Sequence, residues 1–465
     1  MQTVHVERFA ERTATTRVVG SLLAVGVLGA GLYWQFGLVG ALPAVFLLLG
    51  LLGEALFVTL GVLALLSFVV LTGYGSFTER AVPIVLEMAR ITESPVFVAI
   101  PMFTLAGAVM TRGGISERLV RVMKALVGFL PGGLAIAAIG ACAFFAALSG
   151  SSAVTIIAVG GMLAPALQKD YGEPFALGLL TSCGAIGILA PPSLPLIIYG
   201  VVSGADIQKL FVAGMVPAVL TIGMLAVYCS VRGFLVKAPR QRFDGAELLA
   251  ACKHGIFALA LPVLLLGGIY GGFVTAAEAS ILAVLYAVVV EVVIHREVKV
   301  AELWGITVDT MMLVGSILII LLMALAVTNW LTIEQVPQAA SEAIQGAVKS
   351  RFAFLLALNG LLLVVGCVMD IFSALVVMTP LILPIAVAYG VDPVHLGIIM
   401  VVNLELGFAT PPFGINLFIS SAFFRRPVAE VFKATLPFLG VLLVGLLLIT
   451  WLEDLSLALV RASGL

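Results

Sequence analysis

Charged residues are scarce in this chain. Asp, Glu, Lys and Arg make up 11% of the 465 residues, whereas 62% are hydrophobic, which lies outside the range of soluble globular domains. The formal net charge is only −1, so no overall basic field favours a nucleic-acid partner. The composition therefore predicts that a lipid bilayer is the main solvent of this protein.

Cysteine patterns and catalytic motifs are also lacking. The five Cys residues are scattered through apolar sequence and form no disulfide or metal-binding pattern. The chain has no Walker loop, no Gly-x-Ser-x-Gly elbow and no His-Glu-x-x-His helix, and its four His residues stand in loops or at the ends of apolar runs. We therefore expect neither an enzyme nor an ATP-driven pump, and no organic cofactor.

Long apolar runs, in contrast, are frequent. A helix needs roughly 20 residues to cross a hydrocarbon core of about 30 Å, and a helix satisfies its own backbone polar groups there. The sequence predicts an all-α, multi-pass integral membrane protein. The predicted spans are 18–39, 41–53, 55–73, 96–111, 174–203, 207–231, 256–274, 278–294, 306–329, 394–423 and 427–452.

The basic residues predict the orientation of these spans. The loops on one side hold 18 of the 24 Lys and Arg residues, and the positive-inside rule makes that side cytoplasmic. Residues 1–17 then form a cytoplasmic tail. The alternative of one tilted helix over 41–73 stays open, and it would place this tail outside.

Two further apolar segments, 132–167 and 353–389, are interrupted near the middle by small or polar residues. Each predicts a re-entrant helical hairpin, and the span order makes the two hairpins enter from opposite faces. Because the pair Pro191-Pro192 recurs at 411–412, an offset of 220, the spans 174–203 and 394–423 are both predicted to be broken helices.

These features predict a helical bundle with two inverted repeats. The predicted division is a tail at 1–17, scaffold helices at 18–131, repeat 1 at 132–231, a connecting loop and scaffold helices at 232–330, repeat 2 at 331–452 and a C-terminal tail at 453–465. Breaking a helix frees carbonyl oxygens, which are ligands for hard cations, and exposes amides at helix N-termini to anions.

Polar residues near the predicted breaks are the candidates for binding a solute. Carboxylates such as Asp370 and Glu405 are costly in an apolar segment, at about 3 kcal/mol near the membrane centre. A helix cap, small-residue packing or a structural ion pair remains the alternative explanation. The substrate-binding candidates are Ser151, Thr155, Ser193, Asp370, Asn403, Glu405 and Asn416.

Several motifs over roughly residues 95–450 resemble the large membrane subunit of tripartite ATP-independent periplasmic (TRAP) transporters. They are Ile100-Pro101-Met102-Phe103, Arg112-Gly113-Gly114-Ile115-Ser116, Leu130-Pro131-Gly132-Gly133, Ser149-Gly150-Ser151-Ser152, Pro191-Pro192-Ser193 and Thr410-Pro411-Pro412-Phe413-Gly414-Ile415-Asn416. The resemblance implies an elevator-type, Na⁺-driven importer of an organic acid, most often a C4-dicarboxylate, in the bacterial inner membrane. It also implies two partners on separate chains, a small membrane subunit and a periplasmic substrate-binding protein.

The resemblance further implies two sodium sites that use mostly backbone carbonyls. The matching positions are Ser149, Ser152, Gly187, Ala190 and Pro192 in repeat 1, and Gly366, Gly407, Thr410 and Phe413 in repeat 2. This chain differs from the family pattern at two positions. Thr155 stands where many relatives have an acidic residue, and Ala190 stands where a larger aliphatic residue is frequent. An ion-coupled exchanger without a binding protein remains an alternative, and a membrane enzyme or structural anchor a remote one.

Overall fold

The computed structural model of the protein describes residues 26, 30, 42, 44–49, 52, 54–71, 76–93, 95–184, 186–411 and 414–463. The predicted tail at 1–17, most of the predicted span 18–39 and residue Phe413 lie outside this part. The regular secondary structure of the described residues is helical throughout.

Between residues 56 and 288 the described chain contains eleven α-helices, several of them joined by short irregular segments. These helices are α1 (Leu56–Leu65), α2 (Phe77–Thr92), α3 (Pro95–Arg112), α4 (Ile115–Val127), α5 (Gly133–Ser149), α6 (Ser152–Tyr171), α7 (Glu173–Cys183), α8 (Leu194–Ser203), α9 (Ile207–Leu235), α10 (Gly245–Tyr270) and α11 (Ala276–Val288). A π-helix extends α1 over Leu66–Leu71 and another extends α11 over Val289–Ile294.

Eight more helices lie between residues 300 and 463. They are α12 (Val300–Ile333), α13 (Val336–Ala347), α14 (Arg351–Val368), α15 (Ile371–Ala388), α16 (Pro393–Phe408), α17 (Ile415–Phe424), α18 (Val428–Trp451) and α19 (Asp454–Ser463). Among the described residues, eight helices are long and apolar enough to cross a membrane, or up to ten if two bent pairs each count as one span. The chain is thus a multi-pass membrane protein, as its composition predicts.

The helices form two compact units, of which the smaller comprises residues from Met1–Glu93 and Ser316–Pro337. Its described core contains Ala64, Phe68 and Ile84 together with Ala326 and Trp330 from the second half of α12. Trp330 is almost completely buried. The predicted scaffold region 18–131 therefore divides near residue 93.

The larger unit comprises Ser94–Gly315 and Gln338–Leu465 and contains both repeats. Helices α5 to α9 and helices α14 to α18 follow the same order: two hairpin arms, two halves of a broken helix and one long helix. The repeats pack reciprocally, since α6 packs on α17 and α15 on α8, while α7 packs on α17 and α16 on α8. Exchanging the repeats reproduces the same contacts, which confirms the predicted inverted-repeat fold.

Each hairpin reverses at a short, capped break. In the first, Gly150 adopts a left-handed conformation (φ +63°) that ends α5, and the Ser151 hydroxyl caps α6 by accepting a hydrogen bond from the Val154 amide. In the second, Met369 is extended, and Asp370 caps α15 by accepting a bond from the Ser373 amide at 2.9 Å. Both breaks therefore lie where small or polar residues interrupt the apolar pattern.

Four described helices occupy regions that the sequence predicts as loops or tails, namely α2, α4, α13 and α19. Helix α4 buries Ile115 and Leu119 while Glu117 and Arg121 are exposed, so it is amphipathic rather than continuously apolar. A search for long apolar runs does not detect this pattern. For a similar reason α10 begins at Gly245, well before the predicted residue 256, because Asp244 caps a polar first turn.

Candidate functional site

The tip of the first hairpin is a cluster of hydroxyls. The Thr155 hydroxyl donates to the Ser151 carbonyl at 2.8 Å and lies 3.4 Å from the Ser149 hydroxyl. Thr155 is fully buried and Ser152 nearly so. Four of the predicted residues of repeat 1 therefore share one small polar region at the start of α6.

The first broken helix unwinds between α7 and α8. After a short 3₁₀ turn at Gly187–Leu189, two consecutive prolines remove amide donors, and Ser193 then caps α8 through the Leu196 amide. No described backbone amide donates to the carbonyls of Ala190 or Pro192, whereas the Gly187 carbonyl accepts from the Ala190 amide at 3.1 Å. Two of the three predicted carbonyl ligands are thus available for an ion.

This break lies directly against the first hairpin. A Cβ atom added to Gly187 would stand 2.4 Å from the Ala143 carbonyl oxygen on α5, and one added to Gly184 would stand 3.0 Å from the Ser152 carbonyl oxygen. Only glycine permits such close backbone approach. The first hairpin and the first broken helix are therefore in backbone contact, and the sodium role of their residues stays a prediction.

The second broken helix ends in a tight turn after Phe408. The Thr410 amide donates to the Gly407 carbonyl at 2.8 Å, its hydroxyl to the Leu406 carbonyl at 2.8 Å, and the Gly414 amide to the Thr410 carbonyl at 3.1 Å. Thr410 therefore stabilises this turn through three hydrogen bonds, and it is also one of the predicted sodium ligands.

Two predicted sodium residues of repeat 2, Gly366 and Gly407, face each other across α14 and α16. A Cβ added to Gly407 would stand 2.7 Å from the Gly366 Cα, and one added to Gly366 would stand 2.7 Å from the Leu404 carbonyl oxygen. The second hairpin and the second broken helix are thus in backbone contact, as the two elements of repeat 1 are.

Glu405 links the two repeats. Its side chain is only 3% exposed, one carboxylate oxygen accepts a bond from the Asn416 amide at 3.4 Å, and the Ser152 hydroxyl of repeat 1 is its other polar neighbour. The second carboxylate oxygen makes no hydrogen bond with a described residue. An isolated buried carboxylate is costly in free energy. Glu405 is therefore expected to have a function that depends on its charge.

A small cavity of about 20 Å³ lies beside the first break. It is lined by Glu405 and by apolar residues that include Ile188, Leu189 and Val401. This volume suits about one water molecule or a small ion, so the cavity itself is too small for an organic acid.

Two hydrogen bonds between the repeats add to the contacts predicted from the sequence. The Thr181 hydroxyl donates to the Ser420 hydroxyl at 2.9 Å, and the Tyr199 hydroxyl donates to the Pro393 carbonyl at 2.6 Å. The sequence indicates these two bonds only by the presence of hydroxyl side chains inside the predicted broken spans. The first bond joins α7 to α17 and the second joins α8 to α16, which are the half-helices that pack against each other.

Some predicted substrate residues have other partners. The Asn403 amide donates to the Asn359 side-chain oxygen at 2.7 Å, and Asn359 donates to Thr450 at 3.1 Å, so Asn403 belongs to a buried network among α14, α16 and α18. Asp370 and Ser193 act as helix caps. A substrate role for these three residues stays a prediction.

The chain matches the family described as "Tripartite ATP-independent periplasmic transporter, DctM component" over residues 43–455. It is 37% identical over 382 residues to the C4-dicarboxylate TRAP transporter large permease protein DctM of Pseudomonas aeruginosa, covering 82% of this chain and 90% of that protein. It is 39% identical over 364 residues to the isethionate TRAP transporter permease protein DctMQ of Oleidesulfovibrio alaskensis, covering 77% of this chain but only 57% of that protein.

A solved structure shows the same fold. The Alcanivorax borkumensis YdaH transporter aligns with a TM-score of 0.62 over 86% of this chain and 98% of that one, at 14% sequence identity. At this identity the likeness concerns the fold alone. The family match covers most of the sequence, so this multi-pass membrane protein belongs to the family of TRAP transporter large permease subunits.

Proposed function

We propose that this permease subunit imports a small organic acid, a C4-dicarboxylate or a related carboxylate, by Na⁺ symport. The observation that carries the proposal is the meeting of Ser152 of repeat 1 with Glu405 and Asn416 of repeat 2. Two broken helices and one hairpin tip thereby converge on one partly polar region. This is the kind of place where a secondary transporter binds its solute and its ions.

Each repeat supplies oxygen atoms for one sodium ion. In repeat 1 the ligands are the hydroxyls of Ser149 and Ser152 and the carbonyls of Gly187, Ala190 and Pro192. In repeat 2 they are the carbonyls of Gly366, Gly407 and Phe413 with Thr410. Hard cations prefer such oxygen ligands. The free carbonyls of Ala190 and Pro192 support the first site directly.

The second halves of the broken helices support an anionic substrate. Helices α8 and α17 both start at a break, and a helix N-terminus attracts an anionic group through its free amides and its dipole. The related permeases carry C4-dicarboxylate and isethionate in their names, and both solutes are small organic anions. A carboxylate held between these N-termini would lie beside both proposed ion sites.

The two hairpins and the two broken helices would move together as an elevator across the membrane. Their reciprocal packing supports this proposal, since each hairpin's second arm contacts the other repeat's broken helix. A small membrane subunit would complete the fixed scaffold, and a periplasmic binding protein would deliver the substrate. The system would then work in the bacterial inner membrane.

Reconstitution with the small subunit tests this proposal. Proteoliposomes would be loaded with K⁺ and mixed with a radiolabelled C4-dicarboxylate, with or without the cognate binding protein. We expect uptake only with an inward Na⁺ gradient and the binding protein. Undiminished uptake of free substrate without the binding protein would instead favour an exchanger, and uptake independent of Na⁺ would contradict sodium coupling.

A further inference from the structure

A second polar cluster lies at the end of α11, away from the repeats. The π-helix Val289–Ile294 ends there, Arg296 adopts a left-handed conformation (φ 59°), and the Glu297 amide donates back to the Glu291 carbonyl at 3.0 Å. The chain reverses within a few residues, because a π turn and a left-handed residue follow each other. Glu291, His295 and Glu297 thereby offer ligand atoms that all lie within 4.8 Å of one another.

Glu291 is the unusual member of this cluster. Its exposed fraction is 0%, and neither of its carboxylate oxygens accepts a hydrogen bond from a described residue. The nearest charge partner is the His295 Nδ1 atom, 3.6 Å from one of these oxygens, and Nδ1 also makes no hydrogen bond within the described chain. Two unsatisfied buried groups therefore face each other.

The backbone opposite leaves room for this carboxylate. Helices α3 and α4 meet at a bend of 76° formed by Gly113 and Gly114. A Cβ atom at Gly113 would stand 1.9 Å from a Glu291 carboxylate oxygen, so a side chain there would displace Glu291. The absence of a side chain at Gly113 therefore allows the Glu291 carboxylate to lie against the bend.

Surrounding groups hold the other two side chains in position. The Gly114 amide and the Arg118 guanidinium both donate to the Glu297 carboxylate. The Phe257 ring packs edge-on against the His295 imidazole, with ring centroids 5.6 Å apart. Metal-binding residues are commonly oriented by such outer contacts.

We infer that Glu291, His295 and Glu297 form a binding site for one divalent transition-metal cation of the Mn²⁺ or Zn²⁺ type. Two carboxylates and one imidazole are a ligand set for such ions. Ligands bound at about 2.1 Å stand roughly 3.0 to 3.6 Å apart, and the distance between Glu291 and His295 lies at the upper end of this range. The ion would connect the end of α11 to the bend between α3 and α4.

The charges of the cluster agree with a cation. Two carboxylates, those of Glu291 and Glu297, and one guanidinium, that of Arg118, lie in the cluster. The carboxylates outnumber the fixed cation, so a metal cation would balance their charge.

Metal binding by the untagged full-length subunit in detergent tests the inference. After EDTA treatment, equilibrium dialysis against micromolar Mn²⁺ would be followed by mass-spectrometric metal analysis and a thermal unfolding scan. We expect about one Mn²⁺ per chain and a higher melting temperature with the ion. Glu291→Gln should weaken Mn²⁺ binding at least about 100-fold. The control Glu247→Gln, which changes an exposed carboxylate paired with Arg121, should bind as the wild type does.

The fold of the variants is controlled in the same scan. Removing an unpaired buried charge should leave Glu291→Gln folded without metal, while the Mn²⁺-dependent increase in melting temperature disappears. If that variant fails to fold, His295→Ala, at a half-buried side chain, should show the same loss of binding. Absence of bound Mn²⁺ and Zn²⁺ at micromolar concentration in the wild type, or unchanged binding in the variants, would overturn the site.

Discussion

The two repeats have the same backbone plan but different polar chemistry. Repeat 1 presents hydroxyls at its hairpin tip and free carbonyls at its Pro-Pro break. Repeat 2 presents a helix-capping Asp370 at its tip and a buried Glu405 with Asn416 near its break. The shared backbone gives each repeat a broken helix against a hairpin, whereas the side chains make the two halves of the site unequal.

This inequality has a physical consequence. The repeats would be interchangeable if backbone carbonyls alone bound the ions, because those oxygens occur in both. Glu405, however, has no equivalent charge in repeat 1, and its polar neighbours come from both repeats. We therefore expect that substitutions which disturb the backbone reduce transport in the same way in either repeat. Substitutions of single side chains should instead affect Na⁺ binding and the transport rate differently.

The largest expected effect comes from breaking the glycine contact of repeat 2. Gly407→Val places a branched side chain against the Gly366 Cα, and overpacking of this kind costs about 3 kcal/mol or more. We predict loss of monodisperse protein in detergent and of uptake. The control is Gly360→Val on α14, the helix that carries Gly366, where nothing lies within 4 Å of an added Cβ. Equal behaviour of the two variants would refute the close contact.

A second prediction concerns the charge that distinguishes the repeats. Glu405→Gln keeps the shape and the hydrogen bond to Asn416 but removes the carboxylate. We predict at least a roughly tenfold loss of uptake rate at saturating Na⁺, which corresponds to about 1.4 kcal/mol. The melting temperature should not fall, because a buried charge is removed.

The control for Glu405→Gln is Glu430→Gln at an exposed position on α18, which should transport normally. Wild-type uptake by Glu405→Gln would show that the carboxylate is structural.

A third prediction compares ion ligands across the repeats. Ser152→Ala in repeat 1 and Thr410→Val in repeat 2 should each raise the Na⁺ concentration for half-maximal uptake by roughly fivefold, since about 1 kcal/mol of oxygen coordination is lost. Expression should be unchanged. Thr435→Val is the control, because Thr435 donates to the carbonyl four residues before it, as Thr410 does, but lies on α18 away from the break. Unaltered Na⁺ dependence in both site variants would contradict these ligands.

The smallest effect on transport is expected at Asn403. Asn403→Ala leaves the Asn359 side chain without its donor, which should lower the free energy of unfolding by about 1 to 3 kcal/mol. The apparent affinity for substrate should stay within about twofold of wild type, as measured by uptake at varied substrate concentration. A large loss of affinity with normal thermal stability would instead support Asn403 as a substrate ligand, as the sequence predicts.

The sequence predicted the broken helices and hairpins because their signals are local. Pro191-Pro192 cannot continue a helix, and a Ser-rich or Asp-containing interruption in an apolar segment favours a capped turn. The amphipathic helices α2 and α4 were missed because half of each is polar, and a search for continuous apolar runs passes over them.

Contacts between distant segments could not be predicted in the same way. Asn403 stands near Glu405 in sequence but lies in a network with Asn359, because positions two apart point to different sides of a helix. Glu291 carried the same signal as Glu405, a carboxylate within a predicted span. Its neighbour Gly113 becomes apparent only when α3 and α11 are brought together.

Alternate exposure of the hairpin tip to the two membrane faces tests the account most directly. A single cysteine at position 151, Ser151→Cys, would be placed in a subunit whose five native cysteines are replaced, and labelled with an impermeant maleimide in oriented proteoliposomes. We predict that the label reacts from either face and that Na⁺ with substrate shifts the balance of the two rates. Reaction from one face only, unchanged by Na⁺ and substrate, would contradict a moving site shared by the two repeats.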